Sequence, residues 1–453
     1  MIQNIHDIPP KVQLIVYKYI QKIRHSDIGS RIASGAFWSF TGTAIAKLMV
    51  LIGGILCAHI LGKEAYGEFG MVRSTISLFV VLGTAGVGLT ATKYIAEYRN
   101  SDKEHIASIY LLTNGFAVCT GLLVTLIILL SSSFLAETTL QTPHLVYSIR
   151  WGAILLFFTV MNGAQTGTLA GFENFKGIAI NNFIGSFFET ICMLIGAYKY
   201  GVDGAVVGFG MGFVVLNIVN YIAIRQTFQN NNIRISWQLY RRSDTKLLYL
   251  FSLPAALSSL MVTPVFWIVR SMLVRHSGYG ELALYEAADQ WKIIILFIPG
   301  AVSQIVLPIL SSIVNSNQDA FWRVLKINIL LNVIITSIVS IFVCVASPFI
   351  ISMYGNGFDN PMPLIYLGLS TIFTSLSTVV GLSISSRSKM WTGFSFNFLW
   401  GIMTVSFSYF FINMNYGASG IALAILFAYF FHTIFQLVYL YIIKTNDKNT
   451  IRI

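Results

Sequence analysis

Leu61-Gly62-Lys63-Glu64-Ala65-Tyr66-Gly67-Glu68-Phe69-Gly70-Met71-Val72-Arg73 is a short polar turn set between two long apolar segments, and it leads to a cation one or two helical turns inside the second. The pattern returns half a chain later as Leu284-Tyr285-Glu286-Ala287-Ala288-Asp289-Gln290-Trp291-Lys292. Tyr66 then matches Tyr285 (285 − 66 = 219) and Arg73 matches Lys292 (292 − 73 = 219). A tyrosine and a cation repeated at one spacing point to a duplicated chain that keeps charge inside an apolar body.

The far end of each half repeats too. Asn181 and Gly185 match Asn397 and Gly401 (397 − 181 = 216), and Tyr200-Gly201-Val202-Asp203-Gly204 matches Tyr416-Gly417-Ala418-Ser419-Gly420 at the same offset. Around these landmarks 55% of the residues are hydrophobic and only 10% charged, with a mean hydropathy of +0.72. So little charge could not cover the surface of a water-soluble domain.

Apolar runs long enough to cross a bilayer as helix recur throughout. The pattern predicts an all-α integral membrane protein of twelve transmembrane helices: 35–61, 69–98, 105–131, 146–170, 177–200, 205–227, 246–274, 281–311, 321–346, 361–385, 391–413 and 420–443. Six helices per half is an even number, so both halves start on the same side and form two pseudo-symmetric six-helix lobes, a transporter plan. The expected division is an amphipathic N-terminal segment (1–34), a first lobe (35–230), a loop (231–245), a second lobe (246–443) and a tail (444–453). No connection is long enough for a soluble domain, so no nucleic-acid partner is expected.

Of the 29 lysines and arginines, Lys63, Lys199 and Arg275 fall on one side and Lys47, Arg73, Arg150, Arg270 and Lys292 inside spans; the other 21 share the side of the N-terminus. This asymmetry places both termini, the first 34 residues and the loop in the cytoplasm. The first residues read as polar and basic, with no cleavable signal peptide. Val12, Ile15, Val16, Tyr19, Ile20 and Ile23 share a face that fits a helix lying on membrane lipid or one packed on the cytoplasmic end of the bundle. The four cysteines all lie in spans and are read as free thiols acting as small hydrophobes.

A cation at mid-bilayer costs at least about 2.5 kcal/mol on insertion scales, so it faces protein or water and is a functional candidate. Lys47 and Lys292 lie deep; cavity lining and a structural ion pair are the two readings. Arg73, Arg150 and Arg270 sit nearer the outer boundary, where a long side chain can also snorkel. Of the acids, Glu189 has no partner on its own helix. Asp289 either neutralises Lys292 three residues on or serves as an ion site, and Glu286 lies beside them. These three are the ion-coupling candidates. Asn162, Gln165, Thr166, Asn181 and Asn182 add polar groups to the first half. Pro254, Pro264, Pro299 and Pro308 should kink helices 7 and 8. No proline falls in the first six helices, so the gating elements, Pro254, Pro264 and Pro299 among them, are expected in the second half.

The 61–69 stretch, Gly86-x-Gly88, Phe251-Ser252-Leu253-Pro254 and the Tyr-Gly-x-x-Gly turns resemble the polysaccharide and O-antigen flippases. Multidrug and toxin extruders and lipid II flippases belong to the same superfamily. The resemblance covers about 30–444. It implies a V-shaped cavity between lobes and alternating access. It also implies transfer of an undecaprenyl-pyrophosphate-linked oligosaccharide from the cytoplasmic to the periplasmic leaflet of the cell inner membrane, in O-antigen or other polysaccharide biosynthesis, with ion coupling. A polysaccharide polymerase and a chain-length regulator are the protein partners it brings to mind. It implies no cofactor, no metal and no catalytic residue.

Five cations against two or three acids make the expected lumen net positive, which suits pyrophosphate and sugar carboxylates as substrate and so assigns Lys47, Arg73, Arg150, Arg270 and Lys292 to binding. Two other readings stand beside it. A cation-coupled multidrug extruder would favour a lumen rich in carboxylates. A membrane glycan polymerase or ligase would need sizeable outer loops, and here these are short and nearly free of His, Asp, Glu and Arg.

Overall fold

The computed structural model describes residues 27–84, 86–241, 244–248, 261–303, 310, 318–387 and 389–450. The expected interfacial face at 12–23, Pro254 and Pro308 lie outside the described residues. The first half folds as α1 (Asp27–Leu61), α2 (Lys63–Thr84), α3 (Val87–Tyr98), α4 (Lys103–Phe134), α5 (Val146–Gly171) and α6 (Phe175–Asn230). The second half contains α7 (Val262–Ser277), α8 (Tyr279–Ile295), α9 (Gln318–Ser352), α10 (Met362–Ser386), α11 (Met390–Asn413) and α12 (Gly417–Thr450).

Nine helical stretches among the described residues are long and apolar enough to cross a membrane. One of them, α6, runs over 56 residues and changes direction at Gly201, whose φ of 58° and ψ of −136° no helix contains. Its two arms pack back on each other through glycines. A Cβ on Gly196 would stand 2.0 Å from the Gly204 carbonyl oxygen, and one on Gly208 2.2 Å from that of Cys192. Small residues at four-residue spacing allow such backbone contact between helices in lipid. With α6 folded back on itself and α7 and α8 beside the nine stretches, the described helices are consistent with the twelve-span plan.

The repeated turn is realised at both places. Gly201 and Gly417 both take positive φ (58° and 51°), which glycine adopts without steric cost. A Cβ on the fourth residue, Gly204 or Gly420, would stand 2.8 or 2.9 Å from the Cβ of its own tyrosine, Tyr200 or Tyr416.

Two expectations change. Gly62 (φ 77°) alone separates α1 from α2, so the rest of the polar turn, 63–68, is already helix. The bends are also not confined to the second half: the second span breaks between α2 and α3 at Gly86, in the left-handed conformation with φ 69°. Of the prolines, Pro264 sits in the first turn of α7, where its missing N–H has no partner to lose. Pro299 lies in the helical residues 297–303 that follow α8, one turn past its end at Ile295.

The end of the bundle that carries Gly62 and Gly201 is termed distal, and the end where α1 begins and α12 ends proximal. At the proximal end the loop after α6 docks on the first lobe: Arg241 binds Asp102, and Ser108 donates to Asp244 at 2.7 Å. Asp102 also caps α4 by accepting from the His105 amide, and that bond, with Arg241 beside it, holds its carboxyl below the usual carboxylate range.

Candidate functional site: a charged cavity between the lobes

The lobes are joined by hydrogen bonds that lie in the distal half. His59 Nδ1 meets the Met353 carbonyl at 3.1 Å, and Arg275 donates to the Thr139 and Thr138 carbonyls at 2.8 and 2.6 Å. Thr142 and Tyr279 share a hydroxyl contact at 2.8 Å, and Trp267 Nε1 donates to Thr75 at 3.1 Å. The closest approach is α2 against α8. It depends on Gly67, where a Cβ would lie 2.0 Å from the Tyr279 carbonyl oxygen, and Gly70, where it would lie 2.6 Å from Cγ of Glu286. Nearer the proximal end, Phe40 and Phe297 stack across the two halves at 4.9 Å.

Between these contacts lies a cavity of about 580 Å³ lined from both lobes. Lys47 comes from α1, Arg73 from α2, Arg270 from α7, and Glu286, Asp289 and Lys292 from α8. The charged groups are strung in one chain. Arg73 donates to Glu286 Oε2 at 2.8 Å, and Arg270 Nε to Glu286 Oε1 at 2.5 Å. Arg270 Nη2 reaches Asp289 Oδ2 at 3.0 Å, and Lys292 Nζ reaches Asp289 Oδ1 at 2.6 Å. Charges therefore alternate in sign from Arg73 to Lys292, with a cation at each end. Aromatic faces complete the setting: the Arg270 guanidinium lies 5.0 Å from the Tyr285 ring centre, and Lys292 Nζ 4.6 Å from that of Phe266. Each carboxylate oxygen of the chain is matched, the condition under which buried charge is tolerated.

Lys47 has no hydrogen-bond or ion-pair partner among the described residues. Counting the lining groups, four cations face two carboxylates.

Below the charged chain, Gln290 closes the distal floor. Its amide donates to Tyr66 Oη at 2.6 Å and accepts from Tyr354 Oη at 3.1 Å, while Gly54 leaves room for it on α1. Tyr66 and Tyr354 are fully buried. Sequence reasoning missed Gln290, Tyr354 and Phe266. The available signals were a glutamine inside an apolar span and an aromatic one turn before Arg270.

Not every candidate joins the cavity. Arg150 stands at the exposed distal end of α5, with Nε on Ser132 Oγ at 3.0 Å, so it ties α5 to α4 and is no part of the cavity wall. Arg270 corrects the snorkelling alternative in the other direction: it is buried and held by two carboxylates. Glu189 does not line the cavity; it packs against Gly212 inside the α6 hairpin, without a partner among the described residues. The amides of the first half mostly serve packing. Asn162 donates to the Phe213 carbonyl at 2.9 Å, Asn217 to Gln165 at 3.2 Å and Asn181 to Asn220 at 2.9 Å, while Asn182 lines the cavity.

Two helical membrane lobes surround a shared charged cavity, and the fold is that of transporters of the multidrug/oligosaccharidyl-lipid/polysaccharide (MOP) superfamily. A structure of the inward-facing conformation of a multidrug resistance MATE family transporter of that superfamily superposes with a TM-score of 0.79 over 89% of this chain and 96% of its own, at 17% identity. The profile of the polysaccharide biosynthesis protein family matches residues 32–314, well over half of the sequence, and the chain belongs to that family. Among similar proteins are the EPS I polysaccharide export inner membrane protein EpsE of Ralstonia nicotianae, 24% identical over 87% of this chain and 90% of its own length. The lipid III flippase of Escherichia coli is 20% identical over 65% of this chain and 70% of its own. The protein is thus a multi-pass membrane transporter and not an enzyme.

Proposed function

We propose that this protein flips an undecaprenyl-pyrophosphate-linked oligosaccharide, the repeat unit of an O-antigen or another exopolysaccharide, from the cytoplasmic to the periplasmic leaflet of the inner membrane by alternating access. The observation that carries the reading is the cavity shared by both lobes, in which four cations face two carboxylates and Lys47 has no partner among the described residues. A pyrophosphate taken into a membrane loses hydration, and arginine and lysine replace it with charge-assisted hydrogen bonds. The names of EpsE and of the lipid III flippase support the same substrate class.

The alternating chain gives the binding step a consequence. An anion that takes Arg73, Arg270 and Lys292 strips Glu286 and Asp289 of their partners. Carboxylates left without counter-charge in a cavity are candidates to take up a proton or cation, which would couple substrate to ion. Lys47, Arg73, Arg270 and Lys292 are the proposed substrate groups, and Asp289 and Glu286 the proposed coupling groups. Glu189 could act only from inside the first lobe.

The test is surface glycan in a strain dependent on this gene. Lys292→Ala should abolish it at normal protein level, Lys292→Arg should retain part, and Arg73→Ala should weaken it less, because Arg73 is more exposed than Lys292. Wild-type glycan from the Lys292→Ala, Arg73→Ala double variant would refute the proposal. Resistance to cationic drugs without any effect on glycan would favour the extruder reading.

A further inference from the structure

The outer wall of the second lobe holds another concavity, about 170 Å³, between α9 and α12 at the proximal end. It shares no lining residue with the central cavity. Leu325 and Ile329 of α9 and Leu437 and Leu440 of α12 form an apolar trough, and Lys326 and Lys444 stand at its sides. Both lysines are exposed, and neither has a carboxylate within ion-pair reach among the described residues. Trp322 and Tyr441 complete the rim, with Lys444 Nζ 5.7 Å and the Arg387 guanidinium 5.2 Å from a Trp322 ring centre.

We propose that this groove binds one anionic diacyl phospholipid of the surrounding bilayer. The phosphate would sit between Lys326 and Lys444, and an acyl chain would run along the leucines and Ile329. Three features favour that occupant. Apolar side chains extend along α12 from Lys444, with Leu437 roughly 10 Å along the helix from it. Trp322 and Tyr441 stand beside the cations, at the headgroup level that such amphipathic rings occupy. A zwitterionic headgroup would bring its own cation toward the two lysines, whereas an anionic one leaves a net negative charge to match them. The separation from the central cavity assigns the groove to bulk lipid rather than to the transported molecule.

Native mass spectrometry of the purified full chain, equilibrated with phosphatidylglycerol, phosphatidylcholine or undecaprenyl pyrophosphate, tests the assignment. The wild type should retain one tightly held phosphatidylglycerol in preference to phosphatidylcholine. Lys326→Gln with Lys444→Gln should lower that retention by roughly fivefold per lysine. Both positions are exposed, and an unchanged melting curve by circular dichroism would exclude misfolding. A control that removes two exposed cations elsewhere, Arg225→Gln near the end of α6 with Arg234→Gln in the loop after it, should retain the lipid. So should Lys292→Ala, which keeps this test separate from that of the transport proposal. Equal retention by the double lysine variant, or equal loss by the control, would overturn the proposal. Lysine-dependent binding of undecaprenyl pyrophosphate in place of phosphatidylglycerol would overturn it as well, because the occupant would then be substrate.

Discussion

Replacing Glu286 with glutamine isolates the electrostatic contact between the lobes. Glu286 is 2% exposed and holds Arg73 of α2 on one oxygen and Arg270 of α7 on the other. The glutamine amide fits the same space, but it can accept through its oxygen only and turns N–H donors toward the second guanidinium. Arg270 keeps Asp289, so Arg73 is the group left unmatched. A hydrogen bond to a charged group contributes about 1.5–3 kcal/mol, and the 23% exposure of Arg73 puts this one at the low end. The Arg73–Glu286 bond exists only while α2 and α8 are together at the distal end. Its loss therefore shifts the balance toward distal opening by about 1.5 kcal/mol, roughly tenfold. Spin labels at Lys199 and Met414, exposed positions at the distal ends of the two lobes, read this directly on a cysteine-free background by double electron–electron resonance. The ratio of long to short distances should rise about tenfold in Glu286→Gln. Identical distributions in variant and parent would refute the reasoning.

Gly67→Val should act in the same direction more severely, because its Cβ would meet the Tyr279 carbonyl at 2.0 Å; Gly115→Ala, with no atom within 4 Å, should change neither distances nor export. Topology follows from the charge asymmetry: reporter fusions after Asn415 and Gly278 should report periplasm and fusions after Arg242 and Arg452 cytoplasm, and a cytoplasmic signal at Gly278 would contradict the twelve-span plan.

The spans were legible because bilayer thickness imposes one length on every apolar run, and the Tyr-Gly-x-x-Gly repeat was legible because its turn needs glycine at positive φ twice. The Gly86 break was not, since Gly86-x-Gly88 lies inside one continuous apolar run and reads equally as close helix packing, the role Gly88 has against Gly163. Sequence register also overstated symmetry. Asn181 is buried against Asn220, whereas its match Asn397 is exposed. The cavity shows the same limit. By depth and residue type Arg150 and Arg270 were equivalent candidates, and what separates them is the facing partner. Arg270 meets Glu286 and Asp289 on the next helix, while Arg150 meets Ser132 and the ring of Tyr147. Lys47 is the opposite case: its depth pointed to the cavity wall, where it stands among the lining residues.

The cavity cations are proposed to carry a lipid-linked pyrophosphate across the membrane. Purified protein in liposomes loaded with an undecaprenyl-pyrophosphate oligosaccharide measures this directly, through the fraction of glycan that becomes accessible to an added membrane-impermeant glycosidase. Wild-type protein should expose the inner-leaflet pool with time, while Lys292→Ala and Lys47→Ala, reconstituted at equal amounts, should leave it protected. Translocation by both variants at the wild-type rate would contradict the account.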